Sequence, residues 1–445
     1  MCGIAGIVGK NELRYRELVP QMLQAIKYRG PDDTGELYVD DCALGHVRLS
    51  IVDLQNGKQP MMDAAGNTAV VFNGEIYGYK DIKPNLNYPF STDCDTEVIL
   101  ALYQKYGRNM IQHLPGMFAF ALWDSKNKSL YCARDRFGEK PFYYAWGNNG
   151  EFIFASEIKA ILASGMVEPV LDYQQLNHYL CYSYIYPAKT IYKNIFVLPP
   201  ASQLILQNGK LTVERYWYQP DTNDKINIDE AVEQFRFLFS RAVKRQLVAD
   251  VPVGAFLSGG LDSGSVVAAA VESFGVVDML DYVVSSGFLP GDDLDNALRV
   301  DQQEYLTGNG MLKTDRTTMA VSLESRTPFL DVDLAEFCIS LPFAMKVRGK
   351  EEKYILRRAF ESMWTDKVRN TIKNGFASPI DVWMKRPEFQ ILLDTYLGDK
   401  NKKVFNVIDY SKTCELRKNN RELFLIWELL ILSMWFELHP CKLEL

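Results

Sequence analysis

The sequence predicts a two-part chain whose second half is an α/β domain of the doubly wound type and whose first half is rich in short strands. Three observations carry this. The 445 residues are too many for one ordinary core and fit two or three domains. In the second half the apolar run 251–256 reads as a buried strand, followed by a Gly pair and a small-residue segment, 264–270, in a helix starting near Asp262. A strand, loop and helix in that order belong to a doubly wound sheet, which places its ligand at the carboxyl ends of its strands. In the first half, β-type runs each end beside a charged residue or an amide, where backbone and side chains converge on a pocket.

Composition narrows the function classes. A hydrophobic content of 47% with 24% charged residues is that of a folded protein and excludes disorder for most of the chain. The formal net charge is −7 with no long basic run, which argues against nucleic acid as the main partner. Eight cysteines lie scattered without CxxC spacing and read as cytosolic thiols, and four histidines are too few for a His-rich metal site. The opening MCGIAGIVG has no cationic region or cleavage signal of a secretory peptide. Residues 423–438 are strongly apolar, but they include Glu428 and fall short of the ~20 residues a spanning helix needs, so a buried helix is expected and no membrane contact. A cytoplasmic location follows as an expectation.

Along the first half, residues 3–8 form a short apolar strand with Cys2 just ahead of it. Taken alone, Cys2 is a small buried hydrophobe. Four polar stretches follow at strand ends: 28–35 (YRGPDDTG), 45–53 (GHVRLSIVD), 71–77 (VFNGEIY) and 91–100 (STDCDTEVIL). Residues 133–144 (ARDRFGEKPFYY) read as a charged turn between strands, and 152–162 as a strand running into a helix capped at Ser156, both with structural or interface roles. Polar residues 221–225 read as linker.

In the second half, residues 228–245 have helical periodicity, with Ala231, Val232, Phe235, Leu238, Phe239 and Val243 on one side. The loop Leu257, Ser258, Gly259, Gly260, Leu261, Asp262 and Ser263 then combines a helix N-terminus, glycines that let a ligand approach the backbone, and two hydroxyl donors. This is an anion site suited to pyrophosphate, and it is not a P-loop, because no Gly-Lys-Ser/Thr follows. Asp262 suits Mg²⁺, which prefers oxygen ligands, or a helix-capping role. Residues 312–331 offer two ion-pair clusters, Lys313 with Asp315 and Arg316, and Glu324 with Arg326. Lys353, within 349–358, is a phosphate-reaching point charge or part of a solvated helix face.

These motifs carry a family resemblance. LSGGLDS resembles the SGGxDS pyrophosphate loop of ATP pyrophosphatases, which activate a carboxyl or carbonyl by adenylation. Residues 1–205 resemble a class II glutamine amidotransferase domain of the N-terminal-nucleophile type, an α+β fold of layered antiparallel sheets with helices. The chain as a whole is similar to the glutamine-dependent asparagine synthetases of the bacterial type. The resemblance implies a glutaminase domain over 1–205, a linker over 206–225 and an ATP-pyrophosphatase-type synthetase domain over 226–445. It implies that Met1 is removed and that Cys2 becomes the nucleophile, its own α-amine acting as base; an amine with a pKa near 8 suits that task at neutral pH. It further implies an oxyanion hole from Asn73 and the Gly74 N–H, with Arg48 on the glutamine carboxylate and Glu75 and Asp95 on its ammonium side. Leu257 to Ser263 and Lys353 are the implied ATP contacts, with Asp262 on Mg²⁺.

The implied reaction moves ammonia from glutamine, through a shielded passage, to an ATP-adenylated carboxylate. The simplest acceptor is aspartate, giving asparagine, glutamate, AMP and pyrophosphate. Another carboxylate, such as a sugar uronic acid or a peptide, is the alternative, as is a degenerate homologue that binds a partner without synthesis. ATP and Mg²⁺ are the expected cofactors, glutamine and a carboxylate the expected partners, with room for a homodimer. One departure from the family stands out: only about forty residues separate the pyrophosphate helix from Leu312, and no SGEGGDE-type loop lies among them, so a central segment near 272–300 is short. Either further residues belong to the native protein or the segment is missing, and an intact mass near 50.8 kDa marks the second case.

Overall fold

The computed structural model describes residues 2–10, 12–256, 258, 260–274, 294–369, 379–419 and 422–443. Twelve strands of the first half form two antiparallel sheets of six. In chain order they are β1 (Gly3–Val8), β2 (Asp33–Val39), β3 (Cys42–Arg48), β4 (Met61–Met62), β5 (Thr68–Glu75), β6 (Met117–Asp124), β7 (Ser129–Arg134), β8 (Tyr143–Trp146), β9 (Phe152–Ala155), β10 (Ile195–Val197), β11 (Ser202–Gln207) and β12 (Lys210–Arg215). One sheet runs β10-β8-β9-β1-β3-β2 and the other β12-β11-β7-β6-β5-β4. Three helices border them: α1 (Glu12–Ala25), α2 (Thr96–Tyr106) and α3 (Ile158–Ala163).

The two-residue period of a strand explains the layering. In β1, Ile4 joins Val71 and Ala119 between the sheets, while Ala5 and Ile7 face the layer that includes Val19 and Leu23 of α1. In β5, Ala69 and Val71 turn to the inter-sheet layer, and Val70 and Phe72 turn to Val98 and Leu102 of α2. Helix, sheet, sheet and helix thus stack in four layers, and the middles of the covered strands are apolar while buried polar residues gather toward their ends. This is the layered antiparallel fold expected for the first half. The hairpin β11–β12 extends the second sheet to Arg215, so residues 206–215, expected within the linker, form the end of one strand, a two-residue turn and the next strand. The helix expected to be capped at Ser156 begins at Ile158 with Glu157 as its capping residue; the Ser156 hydroxyl instead accepts from the Ile4 N–H at 2.9 Å.

The second half is helical among the described residues. Helix α4 (Tyr173–Tyr182) still belongs to the first half's surroundings, and α5 (Ile228–Gln246) opens the second. Asn227 caps α5 by accepting from the Asp229 and Glu230 N–H groups, at 3.1 and 3.0 Å, as expected of an Asn at that position. Its apolar side is buried as the periodicity predicts: Ala231, Phe235, Leu238, Phe239 and Val243 pack with Leu334, Ile355 and Phe360. Next come α6 (Leu261–Phe274), α7 (Leu312–Met319), α8 (Val332–Ser340), α9 (Tyr354–Phe360) and α10 (Leu423–Leu438). α10 is the helix expected over 423–438, buried on one side with Phe424, Ile431 and Leu438 exposed, and its Glu428 accepts from the Ser183 hydroxyl. Among the described residues no helix is long and apolar enough to cross a membrane.

One expectation for this half fails. Residues 251–256 form no strand, and Val253 and Phe256 are 49% and 78% exposed. A strand needs a paired neighbour for its N–H and C=O groups. Among the described residues of this half the only sheet is the two-stranded one of Val347–Arg348 and Glu351–Glu352.

Candidate active site

The start of β1 and the end of β5 lie on facing sheets, and their meeting builds the first site. Cys2 is buried, its N–H donates to Asn73 Oδ1 at 3.1 Å, and its thiol lies 3.8 Å from the Leu49 carbonyl oxygen. Burial pushes the Cys2 thiol above its ordinary pKa. Asn73 is fully buried, and its Nδ2 has no hydrogen-bond partner among the described residues. Gly74 follows where backbone meets backbone, because a Cβ there would fall 2.1 Å from the Met117 carbonyl oxygen. Only glycine permits that approach.

Arg48 ends β3 and is buried at the same pocket. Its guanidinium donates to the carbonyls of Leu54 (3.1 Å), Val52 (3.2 Å) and Asp53 (2.6 Å), which fastens the 52–54 turn over the site. Asp95 sits at the N-terminus of α2, and its Oδ2 accepts from the Ile76 N–H at 2.8 Å. Cys2, Arg48, Gly74, Glu75 and Asp95 line one pocket with about 20 Å³ of open space, room for roughly one water molecule. A larger ligand enters only if a wall moves.

Glu324 belongs to the second half and lines that same pocket. Arg326 binds it through Nε at 2.7 Å, reaches Glu75 with Nη2 at 3.3 Å, and donates from Nη1 to the carbonyls of Gln246 (2.6 Å) and Val248 (2.8 Å). Two carboxyl groups, Glu324 and Glu75, therefore share one guanidinium. Burial pushes Glu75 and Asp95 up, with Glu324 repelling both. Burial also works against the Glu324 carboxylate, but neighbouring cations, Arg326 among them, hold it down to about 2. The sequence shows Glu324 and Arg326 only as a local ion pair; their reach into the first half's pocket has no signature in spacing.

A second contact between the halves involves Arg29, which is fully buried. Its Nε donates to the Cys2 carbonyl at 3.1 Å, Nη1 to Glu157 at 3.0 Å, and Nη1 and Nη2 to the two Asp315 oxygens at 2.8 and 3.1 Å. Asp315 thus pairs across the chain rather than within its own helix. Arg316 of that helix donates to the Tyr143 hydroxyl at 3.2 Å.

The loop of the second half is described in part: Leu257 and Gly259 lie outside the described residues, as do Met1, the central interval 275–293 and residues 374–376. Helix α6 begins at Leu261, directly after the glycines, as the anion-site reading expects. Ser263 Oγ accepts from the Ser258 N–H at 3.2 Å, lies 3.0 Å from Ser258 Oγ, and donates to the Gly260 carbonyl at 3.2 Å. Lys353, at the start of α9, forms an ion pair with Asp262. The structure therefore gathers Ser258, Gly260, Leu261, Asp262, Ser263 and Lys353 around one helix N-terminus. No group of three or more His, Cys, Asp or Glu side chains that could hold a metal ion is formed among the described residues.

The family model described as a glutamine amidotransferase domain matches residues 1–217, and the one described as asparagine synthase matches 234–278 and 286–437. A Methanocaldococcus jannaschii protein, provisionally named as glutamine-hydrolysing asparagine synthetase 2, is 40% identical over 294 residues, covering 60% of this chain and 56% of its own. Glutamine-hydrolysing asparagine synthetase 3 of Bacillus subtilis is 36% identical over 317 residues, covering 66% of this chain and 51% of its own. The chain thus spans about half the length of the curated relatives it matches. Among solved structures, the glutamine phosphoribosylpyrophosphate amidotransferase from B. subtilis aligns with a TM-score of 0.39 at 17% identity, covering 66% of this chain and 70% of that one.

Proposed function

Because the chain belongs to the family that joins a glutamine amidotransferase domain to an asparagine synthase domain, we propose that Cys2 attacks the side-chain amide of glutamine and that the ammonia released amidates an ATP-activated carboxylate. Aspartate is the acceptor of this reading, giving asparagine, glutamate, AMP and pyrophosphate. The observation that carries the first step is the Asn73 amide: a buried Nδ2 without a partner, on a residue whose Oδ1 holds the Cys2 N–H. Buried donors are normally satisfied, and one left open beside a nucleophile suits the oxygen that gains charge when a thiol adds to an amide. The thiol gives its proton to the Cys2 α-amine once Met1 is gone. Sulfur adds to the amide carbon, the protonated α-amine passes its proton to the amide nitrogen so that the C–N bond breaks and ammonia leaves, and water resolves the thioester to glutamate and the free thiol. Arg48 suits the glutamine α-carboxylate, and Glu75 with Asp95 its ammonium group.

ATP, when bound, supplies the adenylation that makes a carboxylate reactive. The residues gathered at the start of α6 fit its phosphates: a helix N-terminus, the Ser258 and Ser263 hydroxyls and the Lys353 cation. Asp262 offers Mg²⁺ one oxygen donor and currently holds Lys353. Glu324 lines the Cys2 pocket from the second half, the side toward which this reading sends the ammonia. A cytoplasmic location belongs to the same reading.

Glutamate and AMP are to be measured with glutamine, Mg-ATP and a panel of carboxylates, comparing wild type with Cys2→Ala. Loss of glutamine use with ammonia use retained supports the assignment. Unchanged glutamine hydrolysis in Cys2→Ala, or no AMP with any carboxylate and ammonia, refutes the corresponding half.

A further inference from the structure

A cavity of about 520 Å³ lies between the first half and α10, and the chemistry above makes no use of it. Four stretches distant in sequence wall it: α3, residues 185–192, α7 and α10. Leu162, Ile191, Leu312, Ile431, Leu432 and Trp435 give it a broad apolar wall. Lys159, Lys189, Arg316 and His439 bring nitrogen groups to the same space. Glu157, the acidic side chain among the described residues lining it, already accepts from Arg29 and from the Tyr28 hydroxyl. The cavity therefore combines uncovered apolar surface with an excess of positive charge.

Two residues show that this surface is unused by the fold. Ile431 keeps 37% of its area open, between Leu430 at 1% and Leu432 at 4%. Arg316 is likewise exposed while lining the cavity, and it spends one donor on the Tyr143 hydroxyl at 3.2 Å. A guanidinium has five N–H donors, so a fork remains for a two-oxygen anion. Lys159 stands nearby, its Nζ 3.4 Å from Glu157 and 3.8 Å from the centre of the Tyr28 ring. The volume falls in the range of small-molecule sites, which are mostly apolar with a few polar groups that fix orientation.

We propose that this cavity binds an organic anion: a carboxylate held by Arg316 and Lys159, carried on an aromatic or branched aliphatic body that lies against Ile431, Leu432 and Trp435. The apolar body supplies most of the affinity by leaving water, and the paired cations select a charged head over a neutral one.

The test is calorimetric titration of the full chain with naphthalene-2-carboxylate, beside 2-naphthylmethanol and acetate, which lack the charge and the body respectively. Saturable binding of one naphthoate per chain is expected, with the alcohol and acetate each at least about tenfold weaker. Arg316→Met is expected to weaken naphthoate at least about tenfold, and Leu162→Trp, which fills the cavity, to abolish binding. Thermal melts establish that each variant is folded; if either is not, Lys159→Gln, on the open side, is read in its place with the same expectation. The proposal is overturned by no saturable binding up to millimolar naphthoate, by equal binding of the alcohol, or by affinity unchanged in the folded variants.

Discussion

Replacing Arg29 by leucine removes the one cation that two buried carboxylates share. Asp315 and Glu157 are 2% and 9% exposed at their side chains and bind the same guanidinium, at 2.8 and 3.0 Å; Glu157 also has Lys159 at 3.4 Å, so the loss falls chiefly on Asp315. Breaking a buried pair from one side leaves an uncompensated charge, at a cost of about 3 to 5 kcal/mol. Asp315→Asn is gentler, because Arg29 keeps Glu157 and the amide keeps the shape; about 1.5 to 3 kcal/mol is expected, the worth of a charged hydrogen bond. Urea unfolding of wild type, both single variants and the double variant Arg29→Leu/Asp315→Asn measures the costs and their coupling. The pH dependence has a definite sign. Burial alone would raise Asp315, but Arg29 holds its carboxyl below the ordinary value, and Glu157 is lowered likewise. Their contribution is complete above the unfolded carboxyl pKa near 4, and it is lost as pH falls through the lower folded values. A cost below about 1 kcal/mol for Arg29→Leu, or one no larger than that of Asp315→Asn, would refute the reasoning.

Further expectations concern the Cys2 pocket. Glu75→Gln should raise stability at pH 7 by about 1 kcal/mol, because the folded state resists ionising this carboxyl, and the gain should vanish below pH ~4; affinity for glutamine should fall in the same variant. Asn73→Ala should slow glutamine hydrolysis by about a hundredfold or more in kcat, read from glutamate release. Gly57→Ala would put a Cβ 2.5 Å from Arg48 Nη2, 3.0 Å from Cys94 Sγ and 3.1 Å from the Asp53 carbonyl oxygen, so the fastened guanidinium must give way. Its KM for glutamine should rise about tenfold with kcat less affected, which steady-state kinetics separates.

Local patterns made some of this legible in the sequence. The period of Ala231, Phe235, Leu238 and Val243 foretold the buried side of α5, and the length and apolarity of residues 423–438 foretold α10. The glycines before Leu261 marked a helix start, glycine being common at such strand-to-helix turns. Cys2, Asn73 and Asp95 were different: none has a local signature, and their gathering was foreseen through family resemblance, since it depends on which strand ends face each other. The run 251–256 misled because apolarity predicts burial but not the partner a strand requires. Arg326 was read against its neighbour Glu324, and Asp315 within its own helix, whereas the fold carries them to Glu75 and Arg29, contacts no periodicity records.

Met319 packs into a buried cluster with Tyr77 and Met117, and Arg29 finds its bidentate acceptor on the same helix, α7. A fragment cut after residue 217 would keep both sheets yet bare a guanidinium and a thioether-sized hollow beside Cys2. Anyone grafting this first half onto a foreign synthetic module must therefore transplant the 312–326 strip with it, which makes the seam between the halves, rather than either sheet, the unit of inheritance.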